Sequence, residues 1–216
     1  MTAVMVKVAL FPIPNGVTFP GSVFPLHVFE PRYRDMVHYC LEHDIPLGIC
    51  HTQKIIRAAK QDQSLEEALQ SNQATYKPHT IFSAGRCELL KTLGDGRLYL
   101  QVHITDRLMV ERELQVLPFS IVECSAYEDM STIDQQAIAS LAVLQQKILK
   151  RLQVITNKQE EVSERLKSPE WVDKKPIDFS LAIFGLLQFD SHLQQQILEM
   201  TSPQQRLQYL LTLLNE

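Results

Sequence analysis

Glycine, aromatic residues and long apolar runs are all scarce in this sequence. The 216 residues include 7 glycines and 1 tryptophan, and only 7% of them are aromatic. No G-x-x-x-x-G-K-[ST] motif occurs, so the sequence does not predict the phosphate-binding loop that many ATPases use. No apolar stretch approaches the roughly 18 residues that suggest a membrane-spanning helix, so no membrane partner is expected.

Cysteine is also sparse, and the N-terminus lacks a recognisable leader. The 4 cysteines are scattered through the sequence and show no close-spaced disulfide framework. No charged, then apolar, then small-residue succession begins the chain, so a secretory signal peptide is not expected. These features predict reduced thiols in a cytoplasmic protein.

Basic residues are not in excess over acidic ones. The sequence has 21 Lys and Arg against 25 Asp and Glu, for a net charge of −4. Nucleic acid is therefore not the expected partner, because binding to a phosphate backbone requires clustered positive charge. The hydrophobic content of 45% is ordinary for a globular protein. The length suits one large domain or two small ones.

The most informative stretch is residues 19–34, FPGSVFPLHVFEPRYR. Its opening Phe-Pro-Gly predicts a turn, and the apolar residues that follow predict a strand. Pro25 interrupts that strand, which should therefore be an edge strand, irregular or bulged. Glu30 and Pro31 then begin a helix that reaches about Glu42, since Pro is favoured at the first helical position.

The rest of the first half is typical of a curled sheet or barrel made of short strands. Gly85 predicts a bulge within its strand, and residues 93–96, LGDG, predict a hairpin turn. Residues 61–76 are polar and suggest a surface insertion, in which Ser64 and Glu67 could cap a short helix over 65–70. The predicted strands cover residues 4–11, 47–50, 80–92, 97–104, 107–116 and 118–126.

The period of the apolar residues changes after residue 129, and the second half is predicted to be helical. A long helix over 133–155 is capped by Ser131 with Asp134, and its apolar stripe predicts burial within the same chain. A more polar helix is expected over 158–167. Asp178 and Asp190 predict the N-caps of two further helices, and Ser202 with Pro203 predicts the start of the last.

A family resemblance rests on residues 10–14, LFPIP, and on the run FPGSVFPLHVFEPRYRDMV that follows. Together they resemble the opening of the Lon protease N-terminal domain, in particular the stand-alone proteins that contain this domain alone. The hairpin at 94–97, Arg107 and the segment 178–182 are similar to later parts of the family pattern. The residues 104–107, ITDR, depart from it, because the family usually has a Gly before the Arg.

This resemblance implies an α+β fold. Residues 1–127 would form a PUA-like β pseudo-barrel of the Lon N-terminal type, and residues 128–216 would form an α-helical bundle. In the full protease, this region helps to capture protein substrates, while ATP hydrolysis and proteolysis are performed elsewhere. The resemblance therefore implies a protein-interaction module with no ATPase or peptidase activity of its own.

The leading hypothesis is a non-enzymatic module that holds an unfolded or extended polypeptide, or a partner protein, between barrel and bundle. Each aromatic candidate could instead be core, and each charged candidate could instead cap the helix or form an ion pair. The identity of the partner, the oligomeric state and any association with a protease are left open. The candidate contacts are Phe19, Phe24, His27, Phe29, Glu30, Arg32 and Arg34.

Two alternatives come from other functional classes. A PUA-like barrel could bind RNA or a nucleotide, an idea based on fold analogy alone. An unrecognised hydrolase could use two of Cys40, His43, Cys50 and His51, and the same four residues could suggest zinc. Cys50 and His51 should point to opposite faces of a strand, however, and no orienting third residue is evident. No catalytic residue, cofactor or metal is therefore expected.

Overall fold

The computed structural model describes residues 4–58, 71–130, 134–156 and 160–215. The chain divides into two compact units: Met1–Tyr127 with Phe189–Leu198, and Glu128–Gln188 with Glu199–Glu216. The first unit therefore includes a short segment that lies outside the predicted subdomain of residues 1–127. The division into subdomains 1–127 and 128–216 stays a prediction. None of the described helices combines the length and apolarity needed to cross a bilayer.

The first unit is built on a six-stranded mixed sheet and a separate two-stranded sheet. The described strands are β1 (Val6–Pro12), β2 (Val23–Val28), β3 (Leu47–Cys50), β4 (Thr52–Arg57), β5 (Thr75–Pro78), β6 (Ile81–Thr92), β7 (Leu98–Gln115) and β8 (Ile121–Ala126).

The large sheet closes on itself. Its hydrogen-bonded order is β2-β7-β6-β3-β1-β8, and β8 pairs again with β7. The β1–β3 pair is parallel, and the other pairs in this sheet are antiparallel. The ring surrounds a core that includes Leu47, Leu98, Leu100 and Val102, all at most 1% exposed. Alternation of buried and exposed residues along the first half of β7 reflects its two faces.

Helices accompany both units, and together with the sheets they confirm the α+β prediction. The first unit contains α1 (Pro31–His43) and nearly all of α6 (Ser191–Glu199). The second contains α2 (Gln135–Ile155), α3 (Glu160–Lys167), α4 (Pro169–Val172), α5 (Pro176–Ala182), a 3-10 turn (Ile183–Gly185) and α7 (Pro203–Leu213).

Two predictions are confirmed, one about the strand that contains Pro25 and one about a bulge at Gly85. β2, which contains Pro25, ends the sheet order and pairs with β7 without a register shift, so it is a regular edge strand. The β6–β7 register shifts between Ala84 and Gly85, as a bulge requires. A Cβ atom on Gly85 would overlap the carbonyl oxygen of His103 on β7, so this position requires glycine.

One strand prediction is wrong. The runs predicted over 97–104 and 107–116 form the single strand β7, which continues through Thr105 and Asp106. Both of these residues are exposed, and they share one hydrogen bond from the Thr105 hydroxyl to the Asp106 carboxylate. Polar residues can continue a strand here because their side chains face solvent while β7 stays paired with β6.

Helix capping in the described residues mostly follows the predictions. The carboxylate of Asp134 accepts a hydrogen bond from Ala137 N at 2.7 Å, and the Ser202 hydroxyl accepts one from Gln205 N at 3.3 Å. Asp190 likewise accepts from His192 N at 2.9 Å. Asp178 does not cap its helix: α5 begins at Pro176, two residues earlier, because proline fits the first helical position.

Some predictions fall on residues outside those described. The capping box of Ser64 with Glu67, the helix over 65–70 and the contribution of Ser131 to the cap of α2 belong to this group.

The core of the second unit contains a buried ion pair that was not predicted from the sequence. Arg206 on α7 is fully buried, and its guanidinium donates two hydrogen bonds to the carboxylate of Asp129, each 2.7 Å long. It also donates to the carbonyl oxygen of Met200 and to the hydroxyl of Ser180. This network links α7 to α5 and to the start of the unit, and it stabilises a charge that would otherwise be costly to bury.

Candidate functional site

An apolar groove of about 450 Å³ lies on the first unit. Its walls come from β1, the start of α1, the β4–β5 hairpin and the β7–β8 turn. Most of the lining side chains are aliphatic or aromatic, and the charged ones are Arg32, Lys77 and Glu113. A concave, mostly apolar surface with a few polar groups is the usual form of a ligand site. The apolar lining includes Leu10, Tyr33, Ile56, Tyr76, Leu117 and Phe119.

Large apolar side chains stand exposed on both walls of this groove. Ile56 on β4 is 63% exposed, and Leu117 in the β7–β8 turn is 79% exposed. Their neighbours Ile55 and Val116 are exposed as well. Single exposed apolar residues are common, but a group of them around a concave surface indicates an interaction site.

A cluster of hydrogen bonds anchors the hairpin wall to the start of α1. The Arg32 guanidinium donates to Ala74 O at 2.7 Å and to the Thr75 hydroxyl at 3.1 Å. The Glu30 carboxylate accepts from Gln73 N at 2.9 Å and forms an ion pair with Arg32. Both charged side chains are therefore engaged within the chain, and together they fix the approach to β5.

A second, smaller pocket of about 330 Å³ adjoins the groove. Pro12, Tyr33 and Tyr76 line both depressions, so the two are adjacent and are together called the concave surface. The residues predicted from sequence that line the smaller pocket are His27, Phe29 and Glu30. The exposed His27 ring stacks on Tyr99, with their centroids 4.4 Å apart.

The other predicted contact residues lie elsewhere. Phe19 is 1% exposed and belongs to the interior, while Phe24 is partly buried against the core. Arg34 donates a hydrogen bond to Asp95 O in the β6–β7 hairpin turn at 3.3 Å. Arg32, alone among the seven, lines the larger groove. The structure thus brings together four of the seven on the concave surface and leaves Phe19, Phe24 and Arg34 away from it.

Tyr33 lines both depressions. Its ring stacks on Phe11 at a centroid distance of 4.3 Å, and the Arg32 guanidinium lies 4.5 Å from the ring centroid on one face. Burial raises the pKa of the Tyr33 hydroxyl to about 12, so it stays protonated at neutral pH. Tyr33 therefore offers an apolar surface with a neutral hydroxyl.

The four Cys and His residues considered for a hydrolase or zinc site have separate environments. The Cys40 thiol forms a hydrogen bond with Cys87, which raises the pKa of Cys40 and lowers that of Cys87. His43 stacks on Tyr39, and the Cys50 thiol donates weakly to Gly48 O at 3.7 Å. Within the described part of the chain, no three His, Cys, Asp or Glu side chains form a group able to hold a metal.

His51 belongs to a histidine cluster inside the first unit. Its ring lies 5.3 Å from that of His79 and 5.5 Å from that of His192, between ring centroids. Its Nδ1 accepts a hydrogen bond from Asn15 N at 3.1 Å, while its buried Nε2 has no hydrogen-bond partner among the described residues. Burial first, and then the charges of His79 and His192, lower the pKa of His51, against the smaller opposite effect of Asp190.

This arrangement predicts acid sensitivity of the fold. His51 has a lower pKa in the folded chain than in the unfolded chain, so the unfolded chain binds more protons as the pH falls below about 6.5. We expect the free energy of unfolding to fall between pH 7 and pH 5, by at most about 1.4 kcal/mol per pH unit for one proton. Urea titrations at several pH values measure this slope.

The variant His51→Asn keeps an acceptor for Asn15 N but cannot be protonated in this range, so it should flatten the slope. The matched control is His43→Asn, which removes a histidine stacked on Tyr39 at the end of α1 and should keep the part of the slope that depends on His51. If the free energy of unfolding of His51→Asn depends on pH as steeply as that of the unmodified chain, His51 does not cause the acid sensitivity.

The residues that form the groove walls were not predicted from the sequence. Ile55 and Ile56 sit between Lys54 and Arg57, and all four are exposed on β4. Two adjacent isoleucines on a strand cannot both face a core through regular alternation, and this was the available signal. Val116 and Leu117 offered a similar signal, because they form an apolar turn before Pro118.

Comparisons with known proteins identify solved structures that have a similar fold. A search of curated protein sequences returned no match. Among solved structures, the N-terminal domain of Lon protease from the Mycobacterium avium complex aligns with a TM-score of 0.65 and 13% identity, covering 97% of this chain and 98% of that one. A Lon N-terminal domain protein from Xanthomonas campestris aligns with a TM-score of 0.57 and 22% identity, covering 96% and 98%.

The structural alignments confirm the predicted Lon N-terminal fold over nearly the whole chain. The sequence agrees independently, because the family model described as the ATP-dependent protease La (LON) substrate-binding domain matches residues 7–216. The chain therefore belongs to the LON substrate-binding domain family.

Proposed function

We propose that this protein binds unfolded or extended polypeptide segments in the groove of the first unit. Membership of a substrate-binding domain family supports a recognition role. The observation that carries the assignment to this surface is the pair of exposed apolar walls, Ile56 on one side and Leu117 on the other, around about 450 Å³ of concave space. Extended polypeptides expose apolar side chains that such walls can cover.

The adjoining pocket extends the proposed contact surface. His27, Phe29 and Glu30 line it, and Tyr33 and Tyr76 connect it to the groove. An extended peptide that crosses both depressions would meet the stacked His27 and Tyr99 rings at one end and the hairpin wall at the other. Arg32 acts mainly by positioning that wall through its hydrogen bonds to Ala74 and Thr75.

The proposed role is recognition without chemistry. We infer that the chain has neither ATPase nor peptidase activity of its own and that it works in the cytoplasm. We also propose that its closed sheet is PUA-like and that residues 1–127 and 128–216 are its β-rich and helical subdomains.

Fluorescence anisotropy with a permanently unfolded reporter chain tests this function. The reporter carries alkylated cysteines, and the full-length protein is titrated into it. Ile56→Ser combined with Leu117→Ser should weaken binding by about tenfold or more, because losing one or two buried aliphatic contacts removes at least about 1.4 kcal/mol.

The matched control is Val154→Ser, a 63% exposed aliphatic position on α2, and this variant should bind like the unmodified chain. Absence of any binding, or equal weakening by the control, would refute the assignment to the groove.

A further inference from the structure

The hairpin wall of the groove carries an unusual concentration of positive charge. Lys54 on β4 lies directly opposite Lys77 on β5, and Arg57 lies at the end of β4. All three side chains are exposed. Like charges directly opposite each other destabilise a strand pair, so this arrangement opposes the stability of the hairpin.

No acidic side chain among the described residues forms an ion pair with these three cations. The ion pairs of the first unit join other residues, such as Arg32 with Glu30 and Arg112 with Glu123. Lys77 is itself part of the groove lining. Within the described part of the chain, the three cations of the hairpin therefore stand beside the exposed Ile55 and Ile56 without an ion-pair partner.

The opposite wall contributes one charge of the other sign. Glu113 on β7 lines the groove and is exposed. Among the described residues, Glu113 stands against Lys54, Arg57 and Lys77, and Arg32 is paired with Glu30, so these charges sum to a positive value although the whole chain carries a net charge of −4. The sum of these described charges is thus opposite in sign to the net charge of the chain.

We propose that the groove selects extended polypeptide segments in which an apolar core is flanked by acidic residues. This inference rests on the proposed function and specifies its ligand class. The apolar residues of the segment would cover Ile56 and Leu117, and its carboxylates would lie near Lys54, Arg57 and Lys77. Complementary charge at the rim of an apolar contact contributes specificity and a faster association rate more than raw affinity.

Peptides that differ only in their flanks test the proposal with the intact chain. One fluorescent apolar peptide is flanked by glutamates, a second by glutamines and a third by lysines. We expect the glutamate-flanked peptide to bind roughly tenfold more tightly than the lysine-flanked one at low ionic strength. The difference should shrink as salt is added, because exposed charges are screened.

Charge-reversed variants provide the second arm. Lys54→Glu with Lys77→Glu should invert the preference between the two charged peptides, and Glu113→Gln should strengthen binding of the glutamate-flanked one. Lys91→Glu on β6 is the matched control, since it reverses an exposed lysine outside the groove and should leave the preference unchanged.

The outcomes distinguish failure of the acidic preference from failure of the polypeptide-binding function. Equal binding of all three peptides would overturn the acidic preference and leave the polypeptide-binding function intact. Binding of none of them would refute both. Tight, salt-sensitive binding of a single-stranded RNA that displaces the glutamate-flanked peptide would overturn the proposal in favour of a nucleic-acid ligand. An inverted preference in the charge-reversed variant would support it.

Discussion

Replacing Arg206 with methionine is expected to lower the free energy of unfolding by about 3–5 kcal/mol. The substitution keeps much of the side-chain volume but removes all five N–H donors of the guanidinium. It leaves the Asp129 carboxylate without its two 2.7 Å hydrogen bonds in a site where little water is available to replace them. The carbonyl of Met200 and the hydroxyl of Ser180 lose a partner at the same time.

Trp171 provides a local readout of this effect. It is the single tryptophan of the chain, it lies in the second unit, and it is 2% exposed. Its fluorescence during urea unfolding should show a lower midpoint for Arg206→Met, and Arg206→Lys should recover only part of the loss because lysine cannot bind the carboxylate with two parallel donors.

Arg151→Met is the matched control for Arg206→Met. Its side chain is exposed and donates to Leu214 O, so we expect a change of about 1 kcal/mol or less. A double variant combines Arg206→Met with Asp129→Asn. The losses of stability caused by these two substitutions should not add, since both remove the same ion pair. Fully additive losses would contradict the account of a single buried ion pair.

Replacing Gly85 with alanine is expected to lower the free energy of unfolding of the first unit by about 3 kcal/mol. The new methyl group would overlap the His103 carbonyl oxygen, and backbone atoms cannot rotate away as a flexible side chain can. The β6 and β7 strands would have to separate at the bulge where their register shifts. Amide hydrogen exchange along these two strands measures the resulting loss of protection.

Gly94→Ala is the matched control in the neighbouring hairpin turn. Apart from its chain neighbours, a Cβ atom at Gly94 meets no atom of the described residues within 4 Å, so the change should stay within about 0.5 kcal/mol. Equal destabilisation by the two substitutions would show that lost glycine flexibility, rather than the close approach of β7, determines the effect.

The parts of the fold that depend on local chemistry could be predicted from sequence. Pro25 lacks an N–H group, so its strand was expected to be an edge strand, irregular or bulged, and the structure has it at an edge. Asp134 and Ser202 have side chains that satisfy free N–H groups at helix starts, and both caps form. These signals act over three or four residues and need no knowledge of the tertiary structure.

The elements that were missed depend on distant partners. β4 and β5 pair across an intervening stretch of polar sequence, and two register shifts in their pairing remove the regular alternation that marks a strand. β7 continues through Thr105 and Asp106 because β6 supplies its hydrogen bonds. Arg206 had no local signal either, since its acceptor Asp129 lies 77 residues earlier in the chain.

The candidate site also has a part that local sequence indicates and a part that depends on distant contacts. The family resemblance rests largely on residues 19–34, and this segment supplies His27, Phe29, Glu30 and Arg32 to the concave surface. The groove walls come from residues on β4 and the β7–β8 turn, which are brought together only when the sheet closes and the hairpin folds beside it. Their exposure, which makes them candidates, is a property of the folded structure.

Site-specific photo-crosslinking tests the central claim, polypeptide binding in the groove, most directly. A photoreactive phenylalanine analogue replaces Leu117, which is 79% exposed on the groove wall, or Val154, which is 63% exposed on α2. The full-length variants are irradiated with the unfolded reporter, and mass spectrometry identifies the products. The account predicts abundant crosslinks from position 117, reduced by competing unlabelled reporter, and few from position 154. Reporter binding with crosslinks from position 154 and none from position 117 would contradict it.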